Sequence, residues 1–303
     1  LNQSAVPDPE LAGQRQASFP VLFLRGIMIV RQADPGYEDG FVGIFHICAA
    51  LGRIEIETIV KVLEIAFRGE GQGIIIHPAD QIDVVVCAVS YLSPYSRGYA
   101  EGSTSKIASY ALNRDYHLTI KSMLEQLASA LKAYAPEMRH RSFVDSAPLA
   151  EKSYARRAGL GWIGRQSLLV NPKFGSMMHL GELVIDVDVD EYDTPMEGVG
   201  CGSCRRCVEA CPNRAILDNR TIDTRRCISC RTIEREDDGD TTPLHGWIFG
   251  CDICQSVCPF NAHAPLHRNP QFDPVITPEM LSAERLETMT DEEFATIAKP
   301  TPL

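Results

Sequence analysis

Residues 201–212 read CGSCRRCVEACP, a C-x2-C-x2-C-x3-C-P pattern that sets Cys201, Cys204, Cys207 and Cys211 ahead of Pro212. Three thiolates two residues apart wrap one corner of an iron–sulfur cubane, and in a two-cluster module the fourth cysteine ligates the other cluster. That fourth cysteine is expected to start a helix directed away, with the proline turning the chain. A second stretch, CDICQSVCP at 251–259, offers Cys251, Cys254 and Cys258 before Pro259. It is one ligand short. Cys227, in RRCISC, is the natural supplier, and Cys230 three residues on is its rival. Crossed ligation then gives Cys201, Cys204, Cys207 and Cys258 to one [4Fe–4S] cluster and Cys211, Cys227, Cys251 and Cys254 to the other. Zinc is the competing reading. Zinc ribbons use paired C-x2-C knuckles, and x2-x2 followed by x3-C-P departs from that habit.

All but two of the eleven cysteines fall between 201 and 258. A secreted disulfide scaffold spreads its cysteines through a small chain, whereas clustering inside a large one points to metal and to a reducing cytoplasm. The other two, Cys48 and Cys87, lie in apolar runs and read as buried structural thiols. The net charge of −11 argues against simple nonspecific nucleic-acid binding. It is unevenly spread: residues 101–185 carry 11 Lys/Arg against 7 Asp/Glu, and 201–235 carry 8 against 4. The middle of an acidic chain is therefore locally basic.

The chain has 303 residues, enough for one large domain or two ordinary ones. No run approaches the roughly 18 apolar residues of a membrane helix, and no secretory pattern opens the chain. Short apolar runs at 21–24 and 26–30 suit strands, and ETIVKVLEIAF at 57–67 reads as a helix. DVVVCAVSY at 83–91 has the β-branched, nearly continuous look of a buried strand. Residues 118–134 space Ile120, Met123, Leu124, Leu127, Leu131 and Tyr134 as an amphipathic helix that Pro136 ends. LVIDVDVD at 183–190 alternates strictly, so one face of that strand is expected to be wet. A Pro- and Gly-rich boundary follows near 191–200. The acidic remainder, 266–303, is expected to be helical around 277–297.

DSAPLAEKSYARRAGLGWIG at 145–164, SYALNRDYH at 109–117, TIE at 232–234 and the two cysteine motifs occur in one order over some 180 residues, from about 83 to 265. In this they resemble the epoxyqueuosine reductase family. The resemblance implies an α+β chain with a nitroreductase-like, cobalamin-binding α/β domain at 1–196. A bacterial-ferredoxin-like domain with two [4Fe–4S] clusters would follow at 197–266, and a C-terminal helical extension at 267–303. It implies reduction of epoxyqueuosine to queuosine at the tRNA wobble position, with electrons passing from the clusters to cobalamin. Asp145 matches the family's proton donor and Tyr116 a family active-site tyrosine. Reducing an epoxide to an alkene expels oxygen as water, and that oxygen needs protons, which a carboxylic acid beside an apolar cofactor can give. Asp145, Leu169, Leu180, Gly161, Trp162, Asp252 and Ile253 are implied cofactor neighbours. Gly159, Gly161 and Gly164 give a backbone with little bulk for close approach to a flat cofactor.

Residues 1–80 depart from the family's usual N-terminal pattern and leave Arg68 as the one candidate cofactor contact there. Arg139, Arg141, Arg156, Arg157, Arg165 and Lys173 flank the implied active site, and Arg205, Arg206, Arg225, Arg226 and Arg231 flank the clusters. Such a face suits tRNA. The other implied partner is an external electron donor of flavodoxin or ferredoxin type, to a monomeric enzyme. Two other functions compete. A reductive dehalogenase has the same cofactors, but its expected export signal is missing here. A bare electron carrier would leave two thirds of the chain unexplained.

Overall fold

Val84, Val85, Val86, Cys87, Ala88 and Val89 form a continuous β-branched and small-residue run, which suits a strand covered on both faces. In the computed structural model this run lies in strand Asp83–Ser90, buried along its whole length. The structure describes residues 27–28, 58–62, 83–99, 103, 105–147, 149–187, 193–235 and 239–303. In chain order the strands of the main sheet are β1 (Ile27–Met28), β2 (Thr58–Val62), β3 (Asp83–Ser90), β5 (His140–Phe143) and β8 (Met178–Ile185). Between these come the short strands β4 (Lys106–Ile107), β6 (Trp162–Ile163) and β7 (Leu169–Val170). The sheet order is β1-β2-β3-β8-β5, with β1 and β2 parallel and the other pairs antiparallel.

Helix α1 (Tyr116–Lys132) begins at Asp115, whose carboxylate accepts the His117 backbone N–H at 2.9 Å. Ile120, Leu124, Leu127 and Leu131 are its buried stripe, with Met123 partly buried beside them; Tyr134, expected on the stripe, lies past the helix end and is exposed. Gly181 of β8 lets that stripe come close, since a Cβ there would stand 2.5 Å from Ile120 Cγ2. The next residue, Glu182, points to the other face and meets Glu151 at the start of helix α2 (Glu151–Arg157). The two helices therefore cover opposite faces of the sheet.

The cysteine-bearing segment is tied to this layer by β9 (Trp247–Phe249), which runs parallel to β4. It holds the short helices α3 (Arg206–Ala210), α4 (Ile228–Ile233), α5 (Ile253–Ser256) and α6 (Pro259–His263). The acidic tail is helical at Pro278–Leu281, α7 (Ala283–Thr288) and α8 (Asp291–Ala298), as its composition suggests. It folds back on the first part of the chain: Val275 N–H bonds the Leu112 carbonyl, and Ile276 and Leu281 pack with Ile107 and Leu112. No helix among the described residues is long and apolar enough to cross a membrane.

Three sequence expectations need correction. Thr58–Val62 is a strand, not the start of a helix; its β-branched residues pair with β3 across five positions. Strand β8 starts five residues before the alternating run and ends at Ile185, with Gly181–Ile185 buried on both faces; of the carboxylates expected on a wet face, Asp186 is partly exposed and Asp188 and Asp190 lie outside the described residues. Cys211 ends helix α3 and does not start one. Cys258 does start one, with Pro259 in the first turn of α6. Cys87 is buried, as expected of a structural thiol. Cys48, Arg68 and the run at 21–24 lie outside the described residues.

Candidate active site

A cavity of about 420 Å³ separates the end of the sheet from the cysteine segment. Leu169, Met178, His179 and Leu180 line it from the sheet side, with Tyr110, Tyr116, Asp145 and Glu151 beside them. Cys211, Cys227, Cys251, Asp252, Ile253 and Cys254 line it from the other side. Most of its surface is apolar carbon, and the polar groups are few and convergent, the usual make-up of a ligand site.

Asp145 stands just past β5. Its φ of +49° is in the left-handed region, which costs a non-glycine residue on the order of 1–3 kcal/mol. Two hydrogen bonds hold it there. Its backbone N–H donates to Glu151 Oε1 at 2.8 Å, and the Tyr116 hydroxyl donates to its Oδ2 at 2.8 Å. Tyr116 opens α1, so the Asp115 cap that starts the helix also places the phenol. Its ring stacks on His179, 4.2 Å between centroids and 6° from parallel. Burial, and then the charge of Asp145, push the phenol well above its ordinary range, so it stays a donor. Burial holds the His179 imidazole down to about 3, so it is neutral. One carboxyl group with a fixed phenolic donor thus faces an apolar cavity, an arrangement able to pass a proton to a bound oxygen.

The thiols fall into two groups. Burial and then the charges of Cys201 and Cys204 push up the Cys258 thiol, and burial and then Cys201 act on Cys207. Cys251 is pushed up to about 12 by burial, then by Asp252, Cys227 and Cys211. Cys254 is raised by burial, then by Cys251, Asp252, Cys227 and Cys207, so the two sets of thiols lie near one another. Cys201, Cys204, Cys207 and Cys258 do not line the cavity, and Cys211, Cys227, Cys251 and Cys254 do. Among the described residues no three His, Cys, Asp or Glu side chains converge as tightly as a single ion requires. A cubane takes one thiolate at each of four irons, so its ligands stand wider apart. The donor set fits two such clusters. Cys230 is raised by burial and then by Cys227, one turn away on α4, and does not line the cavity. All four thiols of the second group do.

Seven expected cofactor neighbours lie among the described residues, and five of them line this cavity: Asp145, Leu169, Leu180, Asp252 and Ile253. Asp252 is buried, its carboxylate accepting the Ser109 N–H at 2.6 Å and the Gln255 amide at 3.2 Å. Gly161 and Trp162 are not in its lining. A Cβ on Gly161 would stand 2.0 Å from the Val170 carbonyl oxygen, so this glycine serves the β6–β7 pairing. Gly164 is likewise crowded by Gln166 and Val170. Trp162 packs edge-on to Phe260, 4.9 Å between centroids, and its indole N–H points at Cys201 Sγ, 3.4 Å away. The glycines are spent on the protein's own packing, and the indole faces a cysteine.

Much of the expected basic face is neutralised locally. Arg139 pairs with Asp186, Arg205 with Asp218, Arg225 and Arg226 with Asp223, and Arg231 with Asp240. Arg165 donates to the Cys204 and Gly202 carbonyls at 2.8 and 2.9 Å, bracing the cysteine loop. Sequence reasoning missed Glu151, Glu182, His179 and Tyr110. The one available signal was that Glu151 opens a helix six residues after Asp145.

The chain matches two families: "Epoxyqueuosine reductase QueG, DUF1730" over residues 79–146 and "4Fe-4S double cluster binding domain" over residues 200–261. It is 35% identical over 288 residues to the epoxyqueuosine reductase of Pseudomonas aeruginosa, covering 89% of this chain and 79% of the relative. It is 43% identical over 201 residues to that of Cyclobacterium marinum, covering 65% of this chain and 64% of the relative. A solved epoxyqueuosine reductase bound to an epoxyqueuosine-modified tRNA-Tyr stem loop superposes with a TM-score of 0.62 at 26% identity, over 74% of this chain and 60% of that one. A Bacillus subtilis structure with its catalytic aspartate loop swung out of the active site gives 0.63 at 26% identity, with the same coverage. The chain thus spans a little under two thirds of the Cyclobacterium relative and of these solved structures. Matched at 35% identity over 89% of this chain and 79% of the Pseudomonas relative, the chain belongs to the epoxyqueuosine reductase family.

Proposed function

We propose that this chain reduces epoxyqueuosine in tRNA to queuosine, using two [4Fe–4S] clusters and cobalamin, as an oxidoreductase of the cytoplasm. The observation that carries the reading is the cavity itself, which has Asp145 and Tyr116 on one side and four thiols of one cysteine group on the other. Cys201, Cys204, Cys207 and Cys258 would hold the cluster farther from the cavity, and Cys211, Cys227, Cys251 and Cys254 the nearer one. The apolar faces of Leu169, Leu180 and Ile253 suit a broad flat ligand such as a corrin, and a cluster on the near cysteines would stand beside it. The residues present fit both kinds of group. When bound, these groups supply the electrons, two for each epoxide opened to an alkene.

The chain's own residues supply the proton chemistry. The epoxide oxygen leaves as water, which takes up two protons with the two electrons. Asp145 gives a proton to that oxygen, and Tyr116 holds the carboxyl group toward the cavity. The apolar lining keeps bulk water from competing. On this reading residues up to 196 form the catalytic unit, 197–266 a ferredoxin-like unit and 267–303 an extension. A one-electron carrier of flavodoxin or ferredoxin type supplies the clusters. Dehalogenation of a small molecule has no comparable support.

The test is anaerobic purification, reconstitution with iron, sulfide and cobalamin, and assay on epoxyqueuosine-containing tRNA. Turnover to queuosine is expected, with Asp145→Asn cutting it at least 100-fold, the size of a lost general acid. Failure to bind a corrin, or full turnover by Asp145→Asn, would refute the corresponding part.

A further inference from the structure

Glu182 is fully buried in the middle of β8, between Val86 of β3 and Phe143 of β5. Neither of its carboxyl oxygens meets a hydrogen-bond donor among the described residues. The group it does meet is another acid, the carboxyl of Glu151. Glu182 is sealed from water and Glu151 only partly exposed, so ionising both is costly: a buried charge loses its hydration and the two charges repel. Glu151 is the partner that also reaches the cavity, and its Oε1 accepts the Asp145 backbone N–H.

We infer that Glu151 and Glu182 share one proton and act together as positioning residues, which hold the Asp145 loop in its left-handed turn. Glu182 is the protonated partner: its hydroxyl donates to Glu151, leaving Glu151 a carboxylate that accepts the Asp145 N–H. Burial and the neighbouring acids push Glu182 well above the usual carboxyl range, in agreement with the geometry. The titratable groups that face the pair are Asp145 beyond β5, Tyr116 on α1, Cys87 on β3 and Lys152 beside Glu151. Only Lys152 is a cation, and it is exposed. The pair thus links the buried strand to the turn that aims Asp145. Its part in turnover rests on Asp145 being the proton donor; the shared proton does not.

The test uses infrared spectroscopy of the holoprotein at pH 8. Wild type is expected to show a protonated-carboxyl C=O stretch above the amide I region, downshifted in D2O. The band should persist in Asp145→Asn and vanish in Glu182→Gln, whose amide donates to Glu151 as the acid does. In turnover, Glu151→Ala and Glu182→Ala are each expected to lower kcat about 10–100-fold with little change in KM, the scale of a misplaced catalytic group. Glu182→Gln should recover most of the loss, and it remains informative if Glu182→Ala fails to fold. Absence of the band in wild type, its survival in Glu182→Gln, or a Gln variant as slow as the Ala variant would overturn the inference. A protein that shows the band but leaves epoxyqueuosine untouched would instead sink the proposed activity.

Discussion

The indole Nε1 of Trp162 donates a hydrogen bond to Cys201 Sγ across 3.4 Å. Hydrogen bonds to cluster sulfurs stabilise the more negative, reduced state and raise the reduction potential. Trp162 is buried against Phe260, so the donor is held in place. Trp162→Phe keeps the packing and removes the donor. It is expected to shift one cluster of the two, the one held in part by Cys201, to a more negative potential. An EPR-monitored redox titration reads this directly, and two unchanged potentials would show that the bond does not tune the cluster.

Cys227 and Cys230 lie one turn apart, and Cys227, unlike Cys230, lines the cavity with Cys251 and Cys254. Cys227→Ser is therefore expected to lose one cluster, with about half the iron and sulfide, because a [4Fe–4S] cluster takes four cysteines. Cys230→Ser should keep both. Iron analysis of the two purified variants decides, and the reverse pattern would make Cys230 the ligand.

Spacing was enough to show a two-cluster cysteine module, because a cluster imposes its geometry over a few residues of chain, but it left Cys227 and Cys230 as rivals for one place. It did not show which way Trp162 points, since that depends on how β6 meets the cysteine loop. Nor did it show that Gly161 is spent against Val170, a contact nine residues away in sequence. The pair of Glu151 and Glu182 is invisible in one dimension: thirty-one residues separate them, and sheet register brings them together. The helix expected at 57–67 failed for a related reason, since β3 offers β2 a partner that local pattern cannot see. The arginines looked like one basic face because their aspartate partners, such as Asp218 and Asp240, sit at offsets with no regular period.

Tyr116 donates to Asp145 through a phenol that stays neutral across the working pH range. Hydrogen bonds to a charged partner contribute about 1.5–3 kcal/mol. Tyr116→Phe keeps the stack on His179 and removes only the hydroxyl. If the bond is made in the transition state, kcat should fall about 10–100-fold with KM for tRNA unchanged. Equal rates for the two enzymes would show that the Asp145 turn is held by its backbone alone.

His179 makes stability depend on pH in a calculable direction. Burial holds its folded-state value near 3, against 6.5 in the unfolded chain. Between those values the unfolded chain binds one more proton than the folded one, so stability rises with pH there. The slope from this residue is at most about 1.4 kcal/mol per pH unit. Its contribution is complete above pH 6.5 and is lost as pH falls toward 3. The ring is stacked between aromatic neighbours, Tyr116 at 4.2 Å and Tyr91 at 4.5 Å, so phenylalanine is a fair replacement. His179→Phe is therefore expected to flatten the acid side of the profile without changing the neutral side. Anaerobic urea unfolding of the holoprotein at pH 5.5 and 7.5, followed by far-UV circular dichroism, measures the difference between the two proteins and cancels the other titrating groups. Equal pH slopes in wild type and His179→Phe would mean that the imidazole gains its proton without leaving the fold.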